Sequence, residues 1–439
     1  MLQAFLTHVR SRNLLQSTDR YLVACSGGKD SIALVHLLQE SKINFEIAHV
    51  NFQLRGKESD LDQEFVKNWA ENHHIPFHTC NASTLELAES KGISIQMAAR
   101  EIRYRFFEEI RAKGGLNGII LAHHEDDQLE TVLLNLTRGT GLDGLVGMAE
   151  RSGWLIRPLL PLSKNQLEAY LFENQFQWRE DQSNAEVYYK RNFLRHQVIP
   201  TLLESEPNAR ENILHSIDRF RETSKAFNSL VEDWVERNVS EQKGNFHLPI
   251  KAIKNQAGVG TLLFYWLRSY GFNSAQTSEI ASSLTDFRTG AIFHSMEYEL
   301  VFDRESLILG KKPVEFPPIL IDRNSKMLST PQGIYHLREE NWPAPLDTAR
   351  EHAMLDMEVL EFPLTVRVWQ EGDRFNPLGM TSSKKISDFL IDQKVPLIQK
   401  DHVLVMESAG KIAWVVGFRI ADWAKCTAST RICLHFLKS

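Results

Sequence analysis

The chain has 439 residues, 43% of them hydrophobic and 24% charged, with a formal net charge of −6. That length supports two or three domains with cores of their own, and the composition is that of a soluble globular protein rather than a disordered or fibrous one. No apolar run is long enough to cross a bilayer and the opening MLQAFLTHVRSRN has no secretory core, so no membrane partner and a cytoplasmic location are expected.

In the first two hundred residues short apolar runs alternate with longer helical patterns. YLVAC (21–25), FEIAHV (45–50), IPFHTC (75–80) and NGIILAH (117–123) read as strands. Ser31–Glu40, Glu58–Asn72 and Ile95–Lys113 read as helices, and Leu61, Phe65 and Trp69 mark one face of the second. The alternation predicts an α/β domain whose parallel sheet carries helices on both faces. Asn192 to about Leu230 reads as helical, interrupted at Pro200 and Pro207, and a mixed region follows to Leu309; the middle domain is expected to be mainly helical. The Pro-rich KKPVEFPPILIDRNSK (311–326) reads as a linker or domain edge. LTVRVW, HVLVME, IAWVVGF and RICLHFL read as strands of a small β-rich C-terminal domain that embeds one helix, SKKISDFLIDQKV. The expected domains are 1–215, 216–325 and 345–439. From Pro363 onward 11 Lys and Arg face 7 Asp and Glu, a net of +4 that leaves −10 on the rest; a basic C-terminal module can meet a polyanion, or be only a solvated surface. Cys25, Cys80, Cys426 and Cys433 form no C-x-x-C pair, which argues for reduced thiols rather than a zinc or thioredoxin-like redox site.

Between the first strand and its helix stands SGGKDS, Ser26–Ser31. Two glycines allow a sharp turn and close approach of a ligand to the backbone. The first N–H groups of the helix lack internal partners and carry its positive dipole end, so the unit can cradle phosphate. Ser26 and Ser31 add hydroxyls and Lys29 a charge. Asp30 repels a phosphate unless a cation lies between, which suggests Mg²⁺ bridging Asp30 to a nucleotide. The pattern is neither G-x-x-x-x-G-K-[ST] nor G-x-G-x-x-G. The alternative is a plain turn in which Asp30 or Ser31 caps the helix.

In this context SGGKDS resembles the loop of the PP-loop ATP pyrophosphatases. With HVNFQLRGKESDLDQEFV, MAAREIRYRFF, LAHHEDDQLETVLLNLTRGTGLDGLVGM, IRPLL and DQSNAEVYYKRNFLR, in that order, the chain resembles the tRNA(Ile)-lysidine synthase family; RVWQEGDRFNPLGM to FRIADWAKCT resembles that family's terminal domain. The resemblance implies binding of ATP by Ser26, Gly27, Gly28, Lys29, Asp30, Ser31, His123 and Arg100, with Mg²⁺ on Asp30. It implies catalytic roles for Asp30, Arg191 and Arg195, and selection of free L-lysine by Asp127 and Glu130, two carboxylates suited to an ammonium. Without it, Asp127 and Glu130 read as a solvated acidic face, Arg100 and Arg103 as a surface helix paired with Glu101, Arg191 and Arg195 as an exposed basic helix start, and His124 as a core histidine. Thr137–Leu145, with three glycines, resembles a lid, or is only a helix stop. One departure stands out: Phe52 and Gln53 occupy positions where the family commonly has His and Gly.

The implied activity is ATP-dependent ligation of lysine to the C2 of the wobble cytidine in isoleucine tRNA with a CAU anticodon. It proceeds through an adenylated cytidine, releases AMP and pyrophosphate, and changes codon reading from AUG to AUA. The middle and C-terminal domains are expected to grip the tRNA. The alternatives are a PP-loop tRNA thiolase, disfavoured by the missing C-x-x-C, and a nucleotide-sensing RNA-binding protein without turnover. A homodimer is compatible with the sequence, which does not fix oligomeric state.

Overall fold

The computed structural model describes residues 1–180, 190–242, 244–285, 290–312 and 316–439. The chain divides into two compact units, Met1–Phe227 and Asn228–Ser439.

The first unit runs α1 (Leu2–Ser11), β1 (Arg20–Ala24), α2 (Lys29–Glu40), β2 (Asn44–Asn51), α3 (Lys57–Asn72), β3 (Phe77–Asn81), α4 (Thr84–Lys91), α5 (Ile95–Gly114), β4 (Gly118–Ile120), α6 (Glu125–Thr137), α7 (Leu142–Leu145), β5 (Arg151–Ser152), β6 (Leu155–Ile156), α8 (Lys164–Glu173), α9 (Lys190–Phe193), a π turn (Leu194–Val198), α10 (Ile199–Ser205) and the start of α11 (Ala209–Asn238). The sheet order is β3-β2-β1-β4-β6-β5, parallel except for the β5–β6 hairpin. Strands buried on both faces read as unbroken apolar runs, which is why β1 and β2 are legible in the sequence. Alternation then sorts the side chains. Tyr21, Val23 and Cys25 share a core with Phe5, Ile32, Trp69 and Leu167 on one face. Leu22 and Ala48 pack with Ile102, Phe107 and Leu121 on the other. From β1 the chain first winds through β2 to β3, then returns to place β4 on the opposite side. The reversal opens a crevice beyond the carboxyl ends of β1 and β4, where open α/β sheets bind ligands.

Three helices of this unit, α1, α4 and α8, were not anticipated by the sequence pattern. β4 is also shorter than expected: after Ile120 one further bond, Leu121 N–H to Ile156 O at 2.9 Å, holds the chain to β6 before it turns into α6. At Pro200 the expected interruption does not occur. Helical turns run from Lys190 to Ser205, and the π turn Leu194–Val198 immediately precedes the proline. Pro200 has no N–H and its ring crowds the carbonyl four residues back, so a widened turn accommodates it. Pro207 does separate two helices, with Glu206 extended between them.

In the second unit the middle region is helical, with α12 (Ile250–Ile253), α13 (Val259–Leu267) and α14 (Ser274–Thr285), and across the stretch that reads as mixed it also holds an antiparallel sheet. Its strands are β7 (Ser240–Gln242), β8 (Asn245–Pro249), β9 (Ile292–His294), β10 (Tyr298–Phe302) and β11 (Ser306–Lys311), in the order β7-β8-β11-β10-β9. Leu263, Trp266 and Ile280 of the helices pack on Leu248, Leu300 and Leu309 of the strands. The β-rich C-terminal region gathers strands from Ile319 onward, earlier than residue 345: β12 (Ile319–Ile321) pairs with β16 (Leu364–Val368). β13 (Met327–Thr330), β14 (Gly333–Asn341) and β15 (Ala353–Asp356) form a sheet with the last strand, Ile432–Lys438, in the order β13-β14-last strand-β15. Trp414, Tyr335 and Phe436 anchor the core. Among the described residues no helix is long and apolar enough to cross a membrane.

Candidate active site

The turn after β1 is tightly organised. Ser31 Oγ accepts hydrogen bonds from the Ser26 and Gly27 N–H groups, each at 3.2 Å, and donates to Gly28 O at 2.9 Å. Gly27 sits at φ +88°, and a Cβ there would lie 3.2 Å from Val66 Cγ2 of α3, so only glycine suits this position. Gly28 is less crowded, a Cβ meeting only Ser26 Oγ at 3.5 Å. The first i→i−4 bond of α2 runs from Ile32 N to Gly28 O at 3.0 Å, so the N–H groups of Lys29, Asp30 and Ser31 precede the ladder and remain for an anion. His49 Nδ1 lies 2.9 Å from Cys25 O and braces the strand end. Cys25 itself is buried and its thiol pKa is raised by burial, which does not suit a reactive sulfur carrier.

Lys29 does not face this anion cradle. Its Nζ bonds Glu168 Oε1 at 3.2 Å, lies 3.3 Å from Glu180 Oε1, and stands 5.6 Å from the centre of the Trp178 ring. The acids of the opposing wall claim the ammonium. Arg100 lies exposed on α5 over the Tyr104 ring, at 4.8 Å from its centre, with no recorded bond to the turn.

The chain beyond β4 meets this turn across the crevice. His124, 3% exposed, places Nε2 3.5 Å from Asp30 Oδ2 and 3.6 Å from Asp127 Oδ2, with Nδ1 3.5 Å from Asp126 Oδ2. Burial opposes its charge, but Asp126, Asp30 and Asp127 outweigh burial and raise its pKa to about 10, so it is an imidazolium. It is therefore no neutral core histidine but the cation that joins the two loops. Its neighbour His123 is the opposite: burial, aided by Arg157 and Arg191 and opposed by Asp127, lowers its pKa to about 4. His123 is neutral, and its buried Nδ1 has no partner. Asp30 Oδ1 is likewise buried without a partner. An orphaned carboxylate oxygen beside a row of free N–H groups fits a divalent cation held between the acid and a phosphate.

On the first turn of α6, Asp127 accepts the His124 N–H at 3.0 Å. Asp127 and Glu130 are 8% and 1% exposed, and carboxylates so buried need cations. Arg191 and Arg195 supply them. Arg191 bonds Glu130 Oε2 at 2.6 Å and Asp127 Oδ1 at 2.9 Å; Arg195 grips both oxygens of Glu130, its Nη2 at 3.0 Å from Oε2, and reaches Asp127 at 3.5 Å. Four residues apart on continuous helical turns, the two guanidiniums lie on one face. These arginines thus lie on the acids rather than free beside the nucleotide turn. Asp126 is held below the usual carboxylate range: burial resists, but His124, the Lys164 N–H at 2.9 Å and Arg210 outweigh it. Residues 181–189 of the DQSNAEVYYKRNFLR motif lie outside the described residues.

Sequence reasoning missed His124, Arg210 and Arg157. Arg157, in IRPLL, is 8% exposed; Nη1 donates to Ala149 O at 2.8 Å while Nε is buried without a partner. Its charge is felt by His123 and repelled by Arg100, so it extends the positive wall of the crevice. Its position in a conspicuous motif was the only available signal. The Gln53 departure costs backbone strain, since Gln53 has φ +55°, where glycine is free. Phe52 takes the Arg103 guanidinium over its ring at 5.2 Å.

A sheet reversing at β1 and β4, a glycine turn with free helix N–H groups and a facing acid together define a PP-loop nucleotide-binding protein, and residues 2–202 match the model of the PP-loop domain. Residues 241–312 match the TilS substrate binding domain and 364–435 the TilS substrate C-terminal domain. The tRNA(Ile)-lysidine synthase of Parabacteroides distasonis is 34% identical over 440 residues, covering 98% of both chains. That of Bacteroides thetaiotaomicron is 34% identical over 98% of this chain and 97% of its own, and that of Geobacter sulfurreducens 30% over 98% and 96%. The chain belongs to the tRNA(Ile)-lysidine synthase family.

Proposed function

We propose that the protein joins L-lysine to the C2 of the wobble cytidine in CAU-anticodon isoleucine tRNA at the expense of ATP, in the cytoplasm. The observation that carries the reading is the junction at the sheet reversal. The phosphate-ready turn bearing Asp30 and the paired acids Asp127 and Glu130 hang from adjacent strands and meet through His124, 3.5 Å from Asp30.

In the first step the cytidine C2 oxygen attacks the α-phosphorus of ATP and pyrophosphate leaves. The N–H groups at the start of α2 stabilise the departing charge, with Ser26 and Ser31 holding the turn in shape. Asp30, through its unpartnered oxygen, is the residue that would hold Mg²⁺, an ion that would neutralise phosphate charge when bound. Neutral His123 offers an unprotonated ring nitrogen to the nucleotide, and Arg157 and Arg100 supply positive potential. In the second step the lysine nitrogen, having lost a proton, attacks C2; the C2–O bond breaks, AMP carries the oxygen away, and the nitrogen sheds a further proton. Asp127 and Glu130 select the amine by accepting its hydrogen bonds. Arg191 and Arg195 occupy those carboxylates now, so lysine entry exchanges one cation for another and frees the guanidiniums to turn toward the adenylate. The exposed Thr137–Leu145 segment acts as a lid, and the middle and C-terminal regions hold the tRNA.

Incubation with labelled lysine, ATP and transcribed isoleucine tRNA tests this. Label is expected in the isoleucine tRNA and not in the CAU-anticodon methionine tRNA, and Asp30→Asn is expected to abolish incorporation. Incorporation undiminished in that variant refutes the assignment.

A further inference from the structure

Within the second unit, the C-terminal region brings together three donors from separate stretches of chain. Asp347 and His352 lie on the segment between β14 and β15, and His435 on the last strand. One ligand-capable atom from each falls within 4.8 Å of the others. Asp347 Oδ2 is 2.6 Å from His352 Nδ1 and 3.2 Å from His435 Nε2. The other ring nitrogen of His435, Nδ1, is 3.1 Å from Glu340 Oε1. Strand register produces this arrangement. His435 stands opposite Met354 of β15 and Arg338 of β14, so Glu340, two residues along, projects on the same face, and His352 is the residue before β15 begins. Asp347 Oδ1 accepts the Ala349 N–H at 2.9 Å, which orients the carboxylate.

The arrangement of the donors suits a cation. His435 is buried, and both its nitrogens face carboxylates. When Nδ1–H is given to Glu340, Nε2 turns a lone pair on Asp347 Oδ2, acceptor against acceptor. A second proton or a metal ion must lie between them. An outer carboxylate on the far nitrogen is the usual companion of a metal-ligating histidine, because it fixes the tautomer whose lone pair faces the metal. Two imidazoles and one carboxylate are a donor set suited to zinc with an open fourth position.

We propose that Asp347, His352 and His435 bind one divalent transition-metal ion of the zinc type, with Glu340 bracing the His435 ring and water completing the shell. The 2.6 Å separation of Asp347 from His352 is that of a hydrogen bond, whereas two ligands of a tetrahedral zinc stand about 3.3 Å apart. Binding replaces the shared proton, opens this contact slightly and releases the proton to solvent. The ion fastens the segment between β14 and β15 to the last strand.

The test uses the full chain, stripped with a chelator, dialysed against buffered Zn²⁺ and assayed for retained metal by elemental analysis. About one zinc per chain is expected for the wild type, with a raised thermal midpoint. His352→Gln and His435→Gln are expected to lose the bound zinc and the midpoint shift together, and Glu340→Gln to weaken zinc binding by about 10- to 100-fold. Asp30→Asn is expected to bind zinc as the wild type does, which separates this site from the nucleotide turn. Should His435→Gln not fold, His352→Gln, partly exposed before β15, carries the comparison. A wild type that retains no zinc, or a His352→Gln variant that retains as much as the wild type, overturns the proposal.

Discussion

Glutamine at position 130 separates the two halves of the proposed reaction. Glu130 is 1% exposed and bonds Arg191 Nε at 2.6 Å and Arg195 Nη2 at 3.0 Å, besides Arg195 Nε. Glutamine keeps the shape and one acceptor oxygen but removes the charge and turns an N–H₂ toward a guanidinium. For a lysine ammonium seated there, the loss is one charge-assisted hydrogen bond, about 2 to 3 kcal/mol. That corresponds to a rise of about 30- to 160-fold in KM for lysine. Adenylation of the cytidine does not use the amine, so pyrophosphate release measured without lysine should persist. Steady-state lysine incorporation and lysine-free pyrophosphate release, assayed side by side on Glu130→Gln, give both quantities. An unchanged lysine KM refutes the amine-binding role. A parallel collapse of lysine-free pyrophosphate release instead assigns Glu130 to holding the arginines in place for the first step.

Gly27→Ala forces a left-handed residue, at about 1 to 2 kcal/mol, against Val66 Cγ2 at 3.2 Å; the ATP-induced rise in thermal midpoint should disappear while the fold persists by circular dichroism. In the wild type Mg²⁺ should tighten nucleotide binding by calorimetry, and in Asp30→Asn it should not, because the orphaned Oδ1 is the proposed ligand of the cation. Because the folded-state pKa of His124 is raised to about 10, its stabilising contribution is complete below the unfolded value of about 6.5 and is lost as pH rises through 10. The stability gap between wild type and His124→Asn, from denaturant titrations, should be widest in acid and shrink across that window; a gap independent of pH removes the imidazolium from the account.

Much of the catalytic unit is legible in the sequence, because doubly covered parallel strands must be apolar throughout and the helices between them keep a periodic face. β1, β2 and α2, α3 and α5 follow directly from such runs. The edge strand β3, with its mixed exposure, is less distinct, and α1, α4 and α8 carry shorter patterns. At the site, Ser26–Ser31, Asp127 and Glu130 stand in sequence patterns with a chemical rationale. The pairing of Arg191 and Arg195 with the acids is not visible there, since it joins residues more than sixty positions apart. His124 looked ordinary because nothing local records that Asp30, almost a hundred residues earlier, lies 3.5 Å away. The five-stranded middle sheet was legible only as part of a mixed stretch, because its strands are short and lie on either side of the helices.

The reversal of the sheet at β1 and β4 has an evolutionary corollary. In the proposed reaction the grip on the energy donor belongs to one strand end and the choice of nucleophile to its neighbour, and the backbone ladder between Tyr21–Val23 and Gly118–Ile120 fixes their spacing. Changes in α6 can therefore retune which amine is accepted while activation chemistry stays intact, so a lineage can trade incoming groups without rebuilding its engine.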